Sequence, residues 1–150
     1  MADIKTSAER SKNMSRIRSA DTKPEVWLRK QLFMRGYRYR KNVKDILGHP
    51  DIWLARYNSA IFVHGCFWHR HKGCKFAYLP KSREDFWKKK FEDNIARDLF
   101  VKEQLISKGI KVIVIWECTI KKMIKSDLLR EKAIDEIELY LRNNELMLEL

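Results

Sequence analysis

Apolar and polar residues alternate along this chain with two periods, and the changes between them mark its elements. Thr22-Lys23-Pro24-Glu25 has the form of a capping box, with Thr22 at the cap, Pro24 where its missing N–H costs nothing, and Glu25 reaching back. A helix is predicted from there to about Arg35, with Leu28 and Leu32 as its inner face, Trp27 and Phe33 alongside, and Gly36 as its stop. Tyr37 to Val43 alternates aromatic and basic residues, as a strand with one wet face does. Two short apolar runs follow, Ile52 to Ala55 and Ile61 to Val63, with Tyr57-Asn58 as the turn of a hairpin between them. Pro80 to Asp85 announces a long helix, capped by Ser82 and running to about Lys108, whose ridge reads Phe91, Ile95, Leu99 and then Leu105 or Ile106. Lys111 to Glu117 is another apolar strand. Ser126 opens a last helix with the ridge Leu129, Ala133, Ile137 and Leu141. Strands joined by a helix predict an α/β layer fold.

The hairpin has a chemical consequence. Its open end brings Asp51, just ahead of the first run, beside residues 61–64. A carboxylate there is either a turn residue or a ligand for a hard metal ion. Asp98 lies three residues beyond Ile95, so it leans toward the buried side of the long helix. Its partner is then a histidine, or else Arg97 or Lys102 in a salt bridge. For Glu25 the residues alone give a capping role.

Ile61 to Cys74 holds three of the four histidines and two of the three cysteines. The run begins as a buried strand, and Gly65 breaks it after His64. Cys66, His71 and Cys74 are spaced C-x4-H-x2-C, and Cys118 follows the later apolar run. Four thiolate and imidazole ligands suit tetrahedral structural zinc, which here would clamp two distant segments. An odd cysteine count without a secretory leader argues against disulfides. His69 and His71, two residues apart, point the same way in extended chain, so one can bind metal while the other does chemistry. Phe67 and Trp68, between Cys66 and His69, either stack on nucleic acid bases or pack as a miniature core.

Charge narrows the partner. Lys and Arg number 32 against 20 Asp and Glu, a formal charge of +12 over 150 residues. That excess favours a polyanion, nucleic acid first. No long apolar segment or basic amphipathic terminal helix speaks for a membrane, and the polar start predicts a cytoplasmic, nucleoid-associated protein. The length fits one domain with a single core. Residues 1–20 carry Arg10, Lys12, Arg16 and Arg18 around Met14 and Ile17, and read as either a short helix near the ligand or a solvated terminus.

Taken in order, Arg10-Ser-Lys-Asn-Met14, Pro50-Asp51, Val63-His-Gly-Cys-Phe-Trp-His69-x-His71, Phe86-Trp87-x-x-Lys90, Arg97-Asp98 and Val114-Ile-Trp-Glu-Cys118 closely resemble the very-short-patch repair (Vsr) endonucleases over about the first 120 residues. The resemblance implies a restriction endonuclease-like fold, three layers with a central mixed sheet flanked by helices. It also implies nicking of DNA beside a T:G mismatch left by deamination of 5-methylcytosine. By position, Asp51 and the Val63 carbonyl would bind catalytic magnesium, as two ions. Glu25 and His64 would hold metal-bound water, and His69, oriented by Asp98, would activate the attacking water. Cys66, His71, Cys74 and Cys118 would bind zinc. Phe67, Trp68 and Trp87 would wedge into the base stack, Met14 would insert from the opposite groove, and Arg10, Lys12 and Arg16 would line a DNA-contacting arm. The implied partner is mismatched double-stranded DNA, bound by a monomer, with other repair proteins as further candidates. Two positions depart from the family pattern: Val63 stands where threonine is expected, and the Lys72-Gly73 pair lengthens the zinc loop by one residue. The rival readings are a nuclease of a restriction-modification system cutting other sites, a zinc-stabilised DNA-binding module without activity, and an RNA-directed protein.

Overall fold

The structure, a computed structural model, describes residues 20–150. The arm residues Arg10, Lys12, Met14 and Arg16 lie outside them. Helix α1 spans Lys23–Met34. Strands β1 (Arg40–Lys41), β2 (Ile52–Leu54) and β3 (Ser59–His64) follow, with one 3-10 turn, Ala55–Tyr57, between the last two. The long helix α2 (Glu84–Ser107), strand β4 (Lys111–Trp116), helices α3 (Glu117–Lys125) and α4 (Asp127–Arg142), and strand β5 (Met147–Glu149) complete the described chain. The five strands form one mixed sheet in sequence order, antiparallel between β1, β2 and β3 and parallel from β3 to β5.

Alternation along the central strands divides the core in two. Ile52, Leu54, Ile61, Ile113 and Ile115 point to one face, where they meet Leu28 and Leu32 of α1, Ile120 and Met123 of α3, and Ile134 and Ile137 of α4. Trp53, Ala60, Phe62, Val112, Val114 and Trp116 point to the other, where Leu105 of α2 packs. The two faces therefore consist of strand residues in strict period two. Arg35 ties the end of α1 to Glu131, Asp135 and Glu138 of α4.

Most predicted elements are present. Thr22 caps α1, accepting from the Glu25 N–H at 3.5 Å, and Asn58 turns the hairpin with φ 49°. Phe33 is an exception in α1, being half exposed at its outer side. The strand expected over Tyr37 to Val43 shrinks to two residues, because Asn42 adopts φ 50° and leaves the ladder. At the start of α2 the cap is Arg83, at φ 57° and without a side-chain cap bond, in place of Ser82.

The predicted α2 ridge holds at Phe91 and Leu105 and is out of phase between them. Its buried residues are Trp87, Phe91, Asn94 and Leu105, while Ile95 and Leu99 are each about half exposed. Two contacts set this phase: Trp87 and Phe91 pack on Phe67, and the Asn94 amide donates to the Trp68 carbonyl at 3.0 Å. Leu129 of α4 is likewise outward, and Ile134 and Tyr140 take the buried positions. Helix α3 and strand β5 were not anticipated; the first has only Ile120 and Met123 as buried anchors and the second is three residues long.

Candidate active site and metal clamp

The site forms where the hairpin opens. Ile52 pairs with Ile61, so Asp51 sits one step outside the ladder opposite the end of β3. Its carboxylate is half-buried at the edge of the cleft. Oδ2 accepts the Val63 N–H at 2.7 Å, and its main-chain carbonyl accepts from Asn42 N–H at 3.3 Å. From the other sheet face α1 delivers Glu25, only 4% exposed. Burial, and then the neighbouring Glu25 carboxylate, push the Asp51 carboxyl well above the ordinary carboxylate range. Two carboxylates in one desolvated corner repel each other, and a cation between them removes that cost. The donor set of carboxylate and carbonyl oxygens fits magnesium, which takes few carboxylates and keeps several waters.

On the opposite wall stand the histidines. His69 Nδ1–H donates to Asp98 Oδ2 at 2.6 Å, which leaves Nε2 as the basic nitrogen. Asp98 therefore pairs with a histidine, and the out-of-phase rotation of α2 is what turns it there. His64 stacks on His69 at 3.9 Å between centroids and 5° between planes. Burial first, then the charge on His69, push the His64 imidazole down to about 3, so it stays neutral. His64, His69 and Asp98 also lie close enough to suggest a metal triad. The stacking argues otherwise. In-plane lone pairs of parallel rings run side by side, and an ion about 2.1 Å from both nitrogens would have to lie between the ring faces. An imidazole pair backed by a carboxylate suits proton transfer better. Both walls line one cleft of 1140 Å³, which Glu25, Asp51, His64, Trp68, His69 and Asp98 share.

Behind His64 the four clamp residues converge. The ligand atoms of Cys66, His71, Cys74 and Cys118 all lie within 4.8 Å of one another. His71 Nδ1 is 3.6 Å from Cys66 Sγ and 3.3 Å from Cys118 Sγ. A tetrahedral ion with Zn–S near 2.3 Å and Zn–N near 2.05 Å has S···N edges of about 3.6 Å, so the spacing fits zinc. Cys118 comes from the first turn of α3, and the loop carries the other three. Burial, despite a hydrogen bond from Cys118 N–H, pushes the Cys66 thiol up to about 12. Burial also acts on Cys74, but hydrogen bonds from Phe76 and Ala77 N–H and from the neighbouring thiols outweigh it and favour its thiolate. The Trp116 indole lies flat on His71, 4.2 Å away, and turns an edge to His64 at 5.3 Å. Its Nε1–H is fixed by Glu149 Oε2 at 3.1 Å.

The clamp loop presents aromatics at the cleft. Phe67 and Trp68 meet edge to face at 5.1 Å and are half-buried, while Trp87 is 5% exposed and forms the floor beneath both. Tyr78, Phe91 and the Arg70 guanidinium, 3.8 Å above the Phe91 ring, complete the cluster. Arg29, Asn42 and Asn94 escaped the sequence reading, and Trp116 entered it only within the Val114 to Cys118 motif, without a role. Arg29 had a signal, since it stands four residues after Glu25 on one helix face.

A mixed sheet that gathers buried carboxylates, an imidazole–carboxylate pair and a four-ligand clamp at one end defines an α/β protein equipped for hydrolysis. Comparison with known proteins gives the family. The model of the family described as DNA mismatch endonuclease Vsr matches residues 2–75. The Type II nicking enzyme V.NmeAIP of Neisseria meningitidis serogroup A is 49% identical over 81% of this chain and 86% of its own length. The Type II nicking enzyme V.XorIIP of Xanthomonas oryzae pv. oryzae is 42% identical over 82% and 90%. The DNA mismatch endonuclease Vsr of Escherichia coli is 37% identical over 91% and 82%. The chain belongs to the Vsr family of DNA mismatch endonucleases.

Proposed function

We propose that this protein is a magnesium-dependent endonuclease that nicks one strand of duplex DNA beside a T:G mismatch arising from 5-methylcytosine deamination. The reading takes the sheet and its flanking helices as a restriction endonuclease-like core in one domain, active as a cytoplasmic monomer, with residues 1–20 as a DNA-contacting arm. The single observation that carries it is the shared cleft. Asp51 is pinned to the Val63 N–H on one wall, and the His69–Asp98 pair faces it from the other.

Asp51 and the Val63 carbonyl would hold magnesium, as one or two ions, and Glu25 and His64 would steady its waters. Bound there, magnesium neutralises charge on the phosphate and acidifies water. His69 Nε2 takes the proton of the attacking water, and Asp98 stabilises the imidazolium. The water oxygen forms a new bond to phosphorus, one P–O ester bond breaks, and the leaving oxygen takes a proton from solvent water while His69 later returns its own to solvent. Neutral His64 adds no positive charge beside His69, which keeps that proton transfer favourable. Zinc in the clamp holds the loop that carries His69, so the reacting imidazole inherits its rigidity.

Phe67 and Trp68 would enter the base stack and Met14 from the opposite groove, whereas Trp87, expected among the wedging rings, is buried and would support them from below. Unstacking costs a few kcal/mol per step and least at a mismatch, which gives a physical route to selectivity. Arg10, Lys12 and Arg16 would contact the backbone. The test is incubation with magnesium and a panel of end-labelled matched, T:G and otherwise mismatched duplexes. Nicking confined to T:G substrates is expected. Cleavage of matched duplex at other sites would favour a restriction-linked nuclease, and binding without cleavage by folded, zinc-loaded protein would leave only a DNA-binding module.

A further inference from the structure

We infer that Arg29 is a positioning residue that fixes the catalytic carboxylates and ties them to the root of the N-terminal arm. Its guanidinium is 4% exposed and reaches four acceptors. Nη1–H donates to Asp21 Oδ1 at 2.7 Å. Nη2–H donates to Glu25 Oε2 at 3.2 Å, Asn42 Oδ1 at 3.2 Å and the Asp51 carbonyl at 3.1 Å. Nε, also buried, has no partner among the described residues. A side chain placed only to satisfy itself would not leave that donor unpaired. Here the fork is turned so that its far edge serves the residues around the cleft.

The pattern of atoms explains what is gained. Glu25 spends Oε2 on both Arg29 and the Asp21 N–H, which leaves Oε1 uncommitted by either bond. Asp51 is held at its carbonyl by Arg29 and at Oδ2 by Val63, which leaves Oδ1 for a cation. Asp21 and Asn42, both at positive φ, are bonded to each other at 3.1 Å, so the chain entering α1 and the turn before β2 are drawn to the same charge. A lysine keeps the charge, but its single ammonium cannot reproduce the planar fork.

This inference rests on the metal-nuclease reading and is tested separately from it. Mn2+ binding to DNA-free, zinc-loaded protein is followed by electron paramagnetic resonance, and nicking of a T:G duplex is measured against magnesium concentration. Arg29→Lys is expected to weaken Mn2+ binding about tenfold and to raise half-saturating magnesium by a similar factor, with duplex affinity in chelator unchanged. Asn42→Gly, which keeps the left-handed backbone available, should shift both curves in the same direction by a smaller factor. Folded Arg29→Lys with wild-type metal curves would overturn the inference. If Arg29→Lys does not fold, Asn42→Gly decides: a shift supports positioning and wild-type curves overturn it. A wild-type protein that binds Mn2+ and nicks nothing would instead overturn the nuclease reading.

Discussion

At the scale of single residues, the His69–Asp98 pair and the His64 ring beside it divide the work. His69→Ala removes the proposed base and is expected to lower single-turnover nicking about 100- to 10,000-fold while duplex binding persists, as a gel-shift assay would record. Asp98→Asn should lower the rate by less, since the ring keeps its place but loses control of its tautomer. His64 makes a different prediction. Its folded-state value of about 3 lies below the ordinary 6.5 of an exposed histidine, so between those values the unfolded chain binds a proton that the native one refuses. Stability must therefore fall as pH drops through that window and be fully present above it. His64→Gln should flatten this dependence in thermal melts of zinc-loaded protein between pH 6.5 and 4.5. His64 and His69 were legible in the sequence because both sit in one dense motif after a strand; Asp98, inside a helix, was legible only as a carboxylate leaning inward, with its partner left open. Arg29 offered only its spacing from Glu25, since its four acceptors come from three segments that the folded chain alone brings together.

At the scale of elements, what the sequence could not supply was phase. The α2 pattern contains two apolar stripes, and periodicity favours Phe91, Ile95 and Leu99. The stripe that packs includes Asn94, whose bond to the Trp68 carbonyl is invisible before the loop is folded. Helix α3 and strand β5 are too short to announce themselves; two buried side chains hold the first, and pairing with β4 holds the second. The clamp joins the loop of residues 66–74 to α3, so if the four residues hold the proposed zinc, a chelator should lower the melting temperature sharply, and Cys118→Ser should do so without chelator. The turn before β2 offers a second check. Gly48 has φ 82°, and a Cβ there would lie 2.5 Å from Val101 Cγ1 of α2. Gly48→Ala is expected to cost about 1–3 kcal/mol in chemical denaturation, from overpacking added to backbone strain.

For the molecule as a whole, the net charge of +12 makes DNA affinity a matter of released counterions. Log K should fall linearly with log salt, and deleting residues 1–19 should flatten that line by about 0.9 for each phosphate contact the arm makes. Fluorescence anisotropy at several salt concentrations reads this directly; an unchanged slope would mean that the arm contacts no phosphate. Among the described residues no helix is long and apolar enough to cross a membrane. The sheet itself reaches further than its strands suggest. The last strand runs beside β4 and hands Glu149 to the Trp116 indole, a ring that touches a sulfur-site ligand with its face and a reaction-centre imidazole with its edge. Strand β5 is thus a tension screw on the whole apparatus, and losing the Glu149 carboxylate would slacken metal retention and turnover together.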